Sequence, residues 1–331
     1  MPERRLARER HRRYPHGGSR PGHLAGRAEA GATVIVRDAD LPRPCRTRTP
    51  VRTGAVVDLV QAVVLGIVEG LTEFLPVSST GHLTIAEKLL GLEVDDPAIT
   101  AYTAVIQVGA IVAVLAYFAK DLARIIRGWV VGLVRPSARE AEEYRFGWLI
   151  IMGSIPIGIV GLAAKPLIEG PLRSLWIVAA GLIGWSAVIW WAERNPSQKK
   201  AEGDLTVVDV LVVGLVQCLA LVPGVSRSGA TISAGLVRGV ERVTATKLSF
   251  YLGIPALVGA GALEAPKALG KGVGALPTAI GTAVSFVVAY ASVAWLLRFV
   301  STNRITAFVP YRVVLGVAIM VALGAGLMSA T

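Results

Sequence analysis

Residues 56–92 read VVDLVQAVVLGIVEGLTEFLPVSSTGHLTIAEKLLGL, and their pattern is the most informative one for the architecture of this chain. It is apolar along most of its length, but a polar loop at 76–81 interrupts it. Neither half then holds the ~20 apolar residues that a membrane-spanning helix needs. Non-helical backbone at membrane depth is tolerated where it lines a protected cavity. The stretch therefore predicts a re-entrant helix–loop–helix hairpin.

A second broken apolar stretch covers residues 207–240, with its polar loop at 223–229. At an offset of 148 it matches the first one, with nine identities over the 28 positions 66–93, without a gap. A self-match of this kind indicates an internal repeat. We expect two repeat units, at about 56–192 and 207–328.

Unbroken apolar runs long enough to span a membrane follow each hairpin. Three such spans separate the two hairpins, so the second hairpin enters the membrane from the opposite side. This is the arrangement of inverted-repeat membrane proteins, and we expect the two loops to meet near the midplane of the membrane. We predict an all-α polytopic membrane protein with six transmembrane helices plus two re-entrant hairpins in an inverted repeat. The predicted spans are 99–118, 147–168, 174–192, 246–264, 274–297 and 309–328.

The composition of the 331 residues agrees with a membrane protein. Charged residues make up 17% of the chain and hydrophobic ones 53%, whereas a soluble domain carries about 25% charged residues. This excludes a soluble enzyme and a disordered protein. The two cysteines, Cys45 and Cys218, are too few for a disulfide scaffold.

The net charge of +11 comes mostly from one end of the chain. Residues 1–53 hold thirteen of the 34 Lys and Arg residues and only five acidic ones. The excess is confined to this segment, so it does not indicate nucleic-acid binding. We interpret 1–54 as a disordered basic extension, or as the product of a start site chosen too far upstream, and 55–331 as the integral membrane domain.

Loop charges predict the orientation. Fifteen Lys and Arg residues lie in the loops predicted on one side of the spans, at 119–146, 193–206, 238–247 and 298–312, and five lie on the other side. The positive-inside rule places the fifteen in the cytoplasm, so the first hairpin opens to the outer face. The Arg-rich segment 1–53 would then also lie outside, against the same rule.

Glu69 and Glu73 are the first candidate functional residues. Their i, i+4 spacing places both carboxylates on one helix face. Two like charges this close need a cation or a shared proton, so the pair predicts either a metal-plus-phosphate site or a proton-sharing pair. The structural alternative is a pair of acids near the water interface that pairs with a Lys.

His82 follows a cluster of hydroxyl residues. Ser79 or Thr80 would cap the helix that begins there, and a neutral imidazole beside a hydroxyl can take its proton. His82 is therefore a candidate acid/base. A hydrogen-bonded structural histidine is the alternative.

Arg227 lies in the second loop with apolar runs on both sides. Its planar guanidinium suits phosphate oxygens, and the helix predicted to begin near Gly229 points its positive end at the same place. Alternatively, Arg227 pairs structurally with one of the acids, and Ser78, Ser226 and Ser228 are simply helix caps. Together the two loops fit a phosphate or diphosphate with an apolar part in the bilayer, either cut or carried.

Two motifs resemble a known family. EGLTEFLPVSSTGH at 69–82 and PGVSRSGAT at 223–231 are similar to the two signature blocks of bacterial undecaprenyl-diphosphate phosphatases, the bacitracin-resistance proteins. The resemblance runs from about Val56 to the C-terminus and includes FVPYR at 308–312.

The resemblance implies a membrane hydrolase that converts undecaprenyl diphosphate to undecaprenyl phosphate and inorganic phosphate. This reaction recycles the lipid carrier for cell-wall synthesis and confers bacitracin resistance. The resemblance also implies a divalent cation, Mg²⁺ or Ca²⁺, held by Glu69 and Glu73. The implied catalytic residues are Glu73, Ser79, His82 and Arg227, and the expected substrate-binding residues are Ser78, Thr80, Ser226, Ser228 and Thr231.

Two other functions compete with hydrolysis. A flippase or transporter of the polyprenyl phosphate or another anionic lipid would share the inverted-repeat architecture, and an ion-coupled carrier would use Glu69 and Glu73. Neither needs a nucleophile and an acid/base, so Ser79 and His82 favour hydrolysis. The expected location is the bacterial inner membrane, with the site open to the periplasmic face. The expected partners are the membrane and the lipid substrate, without nucleic acid, and a homodimer is left open.

Overall fold

The computed structural model describes residues 57–94, 96–168, 172, 174–194, 197–268 and 274–330, with side chains described outside 263–268. The expected disordered extension, 1–54, lies outside the described residues. Within the described ranges the regular structure is helical, apart from an isolated bridge between Lys200 and Val240.

Twelve α-helices are assigned in these ranges. The first predicted repeat unit contains α1 (Leu59–Thr72), α2 (Ser79–Leu89), α3 (Pro97–Tyr117), α4 (Ala119–Val134), α5 (Glu142–Ala163), the single turn α6 (Lys165–Ile168) and α7 (Leu175–Ala192). The second contains α8 (Val207–Gln217), α9 (Arg227–Val237), α10 (Arg242–Ala268), α11 (Ala275–Thr302) and α12 (Val309–Gly324). A 3-10 turn, Cys218–Leu221, prolongs α8.

Six of the described helices are long and apolar enough to cross a membrane, and they confirm the six predicted spans. The chain is a multi-pass membrane protein. One prediction between the spans is wrong: residues 119–146 are not simply a loop, because they contain the amphipathic helix α4. The six apolar segments are Pro97–Tyr117, Glu142–Ala163, Leu175–Ala192, Arg242–Ala262, Ala275–Thr302 and Ile305–Gly324.

The internal repeat is visible in the backbone. α1 begins with a capping box formed by Asp58 and Gln61, and α8 begins with one formed by Thr206 and Asp209, 148 positions later in each case. The same offset relates Ser78 to Ser226, which are the two described non-glycine residues with a positive φ, at 76° in both. The two hairpins are therefore built on one backbone plan.

The two units exchange packing partners. α1 packs against α11 of the second unit, and α8 packs against α5 of the first. A Cβ atom on Gly66 would collide with the carbonyl oxygen of Gly281, and one on Gly214 with that of Gly153. Such small residues let membrane helices approach closely. This reciprocal packing is what a two-fold related pair of units produces, and it brings the two hairpin loops together.

Candidate active site

The two polar loops contact each other directly. The backbone N–H of Gly224 donates to Ser78 Oγ at 3.2 Å, and Ser226 Oγ donates to the carbonyl oxygen of Leu75 at 3.5 Å. Ser78 and Ser226 hold positive φ angles, a conformation that non-glycine residues adopt rarely and mostly at functional sites. The loops meet, as the sequence predicts.

Arg312 connects the two loops by hydrogen bonds. Its side chain is fully buried, and it donates to the carbonyl oxygens of Pro76 at 2.8 Å, Gly224 at 2.9 Å and Val225 at 3.2 Å. One guanidinium thus satisfies carbonyl groups of both loops, which water cannot reach. Arg312 does not belong among the cytoplasmic loop charges, where the positive-inside count placed it, because burial removes it from solvent.

The first loop follows α1 and carries the acid pair. Glu69 and Glu73 lie one helical turn apart and are 1% and 7% exposed. Among the described residues, neither carboxylate oxygen of Glu69 has a hydrogen-bond partner. A buried carboxylate without a partner is costly, so its position indicates a cation, a proton or a ligand. The interface alternative, acids paired with a Lys, does not fit this burial.

Glu73 joins the two hairpins. Ser79 Oγ donates to Glu73 Oε2 at 2.6 Å, and Arg227 Nη2 donates to Glu73 Oε1 at 3.1 Å. A hydroxyl, a carboxylate and a guanidinium therefore form one hydrogen-bonded chain, Ser79–Glu73–Arg227, which we call the acid–serine chain. Its first two groups come from the first hairpin and the third from the second. The structural pairing of Arg227 with an acid is thus present, and it lies in the middle of the candidate site.

Arg227 presents its other terminal nitrogen away from Glu73. In the described part of the chain, Nη1 is buried without a hydrogen-bond partner. It lies against Gly253 of α10, at the position that a Cβ atom there would occupy. The guanidinium carbon is also 6.0 Å from the centre of the Phe74 ring, within reach of a cation–π contact. Gly253 carries no chemical signal of its own, which is why sequence reasoning missed it.

His82 is oriented by groups outside the acid–serine chain. Its Nδ1 is 2.7 Å from the carbonyl oxygen of Ser78, and its Nε2 is 2.5 Å from the hydroxyl of Tyr311. Since a carbonyl oxygen only accepts, Nδ1 carries a proton, and in a neutral ring Nε2 then accepts from the hydroxyl of Tyr311. The hydroxyl of Ser79 is bonded to Glu73 rather than to His82. Tyr311 is a further residue that sequence reasoning did not single out.

The other predicted contact residues lie at different depths. Ser226 caps α9, since its Oγ accepts from the N–H of Gly229 at 3.3 Å, and it also contacts Ser228 Oγ at 3.1 Å. Thr231 is buried and donates to Ser249. Thr80 and Ser79, in contrast, line an open cavity.

One capping prediction was wrong in register, and one helix begins two residues earlier than the residue named for it. The N-cap of α2 is Ser78, not Ser79 or Thr80, and its hydroxyl is turned to the second loop instead of its own helix. α9 begins at Arg227, two residues before Gly229. In both hairpins the positive-φ serine ends the loop, so the helix starts directly after it.

A cavity of about 290 Å³ adjoins the acid–serine chain. Most of its surface is apolar, but acidic and hydroxyl side chains line it as well, and we call it the polar cavity. Glu69, Ser79 and Thr80 line it from the first hairpin, and Leu221 and Pro223 from the second. A cavity of this size accommodates a phosphate or diphosphate group.

The donor set fits an oxygen-liganded cation held jointly with a substrate. The unpartnered carboxylate of Glu69 and the adjacent carboxylate of Glu73 supply oxygen ligands, and Mg²⁺ is usually bound through one or two carboxylates plus phosphate oxygens and water. In the described ranges no cluster of three or more His, Cys, Asp or Glu residues could enclose a metal by itself.

Comparison with known proteins gave consistent matches. The family model described as bacitracin resistance protein BacA matches residues 62–318. The chain is 54% identical over 277 residues to "Undecaprenyl-diphosphatase 1" of Frankia alni, covering 83% of this chain and 100% of that protein. It is 56% identical over 275 residues to the protein of the same name from Streptomyces coelicolor, covering 83% and 99%. It is 48% identical over 276 residues to "Undecaprenyl-diphosphatase" of Mycolicibacterium smegmatis, covering 82% and 99%.

Proposed function

The chain belongs to the bacitracin resistance protein BacA family, and from this premise we propose that it hydrolyses undecaprenyl diphosphate to undecaprenyl phosphate and inorganic phosphate. The observation that carries the proposal is the chain Ser79–Glu73–Arg227, which links a nucleophile, a base and a cation beside a polar cavity. A carrier needs no aligned nucleophile and base.

Ser79 is the proposed nucleophile. Its hydroxyl donates to Glu73 at 2.6 Å, whereas Ser78 Oγ is occupied by the backbone of the second loop. Ser79 Oγ attacks the terminal phosphorus in line, its proton passes to Glu73, and the bond from phosphorus to the bridging oxygen breaks. Undecaprenyl phosphate leaves, and water then hydrolyses the phosphoserine to release inorganic phosphate.

Arg227 stabilises the charge of the transferring phosphoryl group. A buried guanidinium fixed beforehand by Glu73 and Gly253 needs little rearrangement when that charge shifts. His82 is the proposed acid/base. Its Nδ1 is held by Ser78 and its Nε2 by Tyr311, so it exchanges protons with the departing phosphate and the incoming water through the hydroxyl of Tyr311. Ser78, Thr80, Ser226, Ser228 and Thr231 support the two loops around the phosphates.

Glu69 and Glu73 are proposed to hold a divalent cation, Mg²⁺ or Ca²⁺. When bound, the cation neutralises phosphate charge. The unpartnered oxygens of Glu69 support this assignment.

The cellular setting extends the proposal. We place the enzyme in the bacterial inner membrane, with both hairpins re-entrant and the site open to the periplasmic face, where it recycles the lipid carrier and confers bacitracin resistance. The short helices of 11 to 14 residues on either side of each loop and the basic bias of the opposite loops support this placement. The named site residues come from one chain, so a homodimer would carry two complete sites.

Phosphate release from undecaprenyl diphosphate by the purified protein in detergent tests the proposal. We expect turnover that a chelator abolishes and that Mg²⁺ or Ca²⁺ restores. Ser79→Ala and Glu73→Gln should each lose about 10³-fold or more in kcat. Ser301→Ala, an exposed serine far along the chain, should keep normal turnover.

The rival function is read out separately in liposomes. This assay asks whether the protein moves the lipid across the bilayer. Movement of the lipid while neither assay detects phosphate release would contradict hydrolysis and identify the protein as a flippase or transporter.

A further inference from the structure

A second cavity, of about 460 Å³, is lined in part by Arg227. It is lined mainly by apolar residues of α5 and α10, and by Ala220 and Leu221 of the turn that follows α8. Ala220 and Leu221 also line the polar cavity, so the two spaces adjoin at these residues. Arg227 lines the second cavity and is connected through Glu73 to Ser79, which lines the first.

Glycines give this second cavity its width. Gly158 and Gly161 on α5 and Gly259 on α10 line it, and a Cβ atom on any of them would meet nothing within 4 Å. Gly153, one and a half turns earlier on α5, behaves differently, since its Cβ would lie 2.8 Å from Leu252 Cδ2. Close helix packing therefore explains Gly153 but not the other three. They leave an apolar groove between two membrane-spanning helices.

Two polar side chains that line the groove have buried atoms without hydrogen-bond partners among the described residues. Gln217 lines it, is fully buried, and has no hydrogen-bond partner for either side-chain atom among the described residues. Arg227 Nη1 is in the same state. Gln217 stands 148 positions after Glu69, so the second hairpin carries a neutral amide where the first carries the orphan acid. Buried groups without partners at the head of an apolar groove indicate a ligand that is polar at one end.

We propose that this groove binds the first isoprene units of the substrate's polyprenyl chain, with Gln217 and Arg227 Nη1 contacting the phosphate that stays on the lipid. The terminal phosphate then lies in the polar cavity beside Ser79 and Glu69. The diphosphate passes from one cavity to the other beside Ala220 and Leu221, which line both, and Arg227 contacts both phosphates. This inference rests on the proposed function, because it assigns the two ends of that substrate to two cavities.

The test compares a long and a short substrate. Phosphate release is measured with undecaprenyl diphosphate and with methyl diphosphate, which has the same phosphates but no isoprene unit. Gly158→Leu and Gly259→Leu fill the groove. Each should raise KM for the long substrate about 10- to 100-fold, the equivalent of excluding one isoprene-sized apolar group, and leave the activity on the short one within about twofold.

Gly184→Leu is the matched control. Gly184 lies on α7, its Cβ would also meet nothing within 4 Å, and it does not line the groove. This variant should treat both substrates as the unmodified protein does. Gln217→Leu should instead lower kcat/KM about tenfold for both substrates, since both carry the proximal phosphate.

Unchanged KM for the long substrate in both groove variants would overturn the proposal. If the leucine variants melt at a lower temperature than the unmodified protein, Gly158→Ala and Gly158→Val test the groove instead. In this series KM for the long substrate should rise with side-chain size. A flat series contradicts the groove. Failure of the proposed function looks different, since the unmodified protein would then release no phosphate from either substrate.

Discussion

The two hairpins share a backbone but not a chemistry. Position for position, Glu69 of the first corresponds to Gln217 of the second, and Ser79 to Arg227. The first hairpin thus carries the acids and the hydroxyl, and the second carries the cation. Neither could bind and cleave a phosphate alone. The duplicated fold provides two facing loops, and the divergence of a few side chains makes one asymmetric site from them.

The largest expected effect follows from removing the second hairpin's contribution. Arg227→Ala should lower kcat/KM for undecaprenyl diphosphate about 10³-fold, because a fixed donor to the phosphoryl group is lost. Arg227→Lys should recover only part of this, since an ammonium lacks the planar fork that reaches two partners. Phosphate-release kinetics measure both. Arg124→Ala, a surface arginine on α4 with half-exposed ion pairs, should be normal, and normal turnover by Arg227→Ala would refute the role.

The second largest effect is expected at Arg312, which donates to carbonyl groups of both loops. Arg312→Leu leaves buried carbonyl groups of both loops without a donor, and we expect a loss of about 3–5 kcal/mol of stability together with the loss of activity. Thermal unfolding in detergent measures it. Arg304→Ala, an exposed arginine of the same segment, is the control. Equal melting temperatures for the two variants would mean that Arg312 does not fasten the loops.

The reciprocal packing can be tested by one substitution made in each unit. Gly66→Leu and Gly214→Leu both force a side chain into a helix crossing, at a cost of about 1–3 kcal/mol or more. Similar drops in melting temperature are expected. Gly324→Leu, where a Cβ meets nothing within 4 Å, should change little. A large drop for only one of the pair would show that the two crossings are not equivalent.

The capping boxes of α1 and α8 differ at their third residue, which is Gln61 in α1 and the titratable Asp209 in α8. Their contributions to stability should therefore differ in pH dependence. Burial raises the pKa of Asp209, but hydrogen bonds from Thr206, Lys200 and Arg238 outweigh it and lower the pKa from 3.8 to about 2. A carboxyl group with a lowered pKa in the folded state stabilises the fold at every pH above its ordinary pKa of 3.8. This stabilisation disappears as the pH falls toward 2. Asp209→Asn should therefore cost about 2 kcal/mol at pH 7 and progressively less between pH 4 and 2.

Gln61 occupies the equivalent position in the first hairpin and does not titrate. Gln61→Ala should cost about 1 kcal/mol at every pH in this range. Melting temperatures across the pH series measure both variants. A constant difference between Asp209→Asn and the unmodified protein would contradict the charge-based account.

Much of this fold follows from the sequence because membrane constraints act locally. Run length identifies the spans, and the two broken stretches with their offset of 148 identify the hairpins. The same logic finds Glu69, Glu73 and Arg227, since charges in apolar surroundings stand out. Arg312 was missed because it lies at the edge of an apolar run, where an arginine normally marks a cytoplasmic loop. Its partner Pro76 is 236 positions away, and no local pattern records such a contact. Gly253 was missed for a similar reason, because its function is to leave space.

The double-mutant cycle of Glu73 and Arg227 tests most directly whether the hairpins form one site. kcat/KM for undecaprenyl diphosphate is measured for the unmodified protein, Glu73→Gln, Arg227→Gln and the double variant. Residues that act as one unit lose activity non-additively. We predict that the double variant is no worse than the poorer single variant, within about threefold. Losses that multiply in the double variant would show that the two residues act independently, and would contradict a catalytic centre shared between the hairpins.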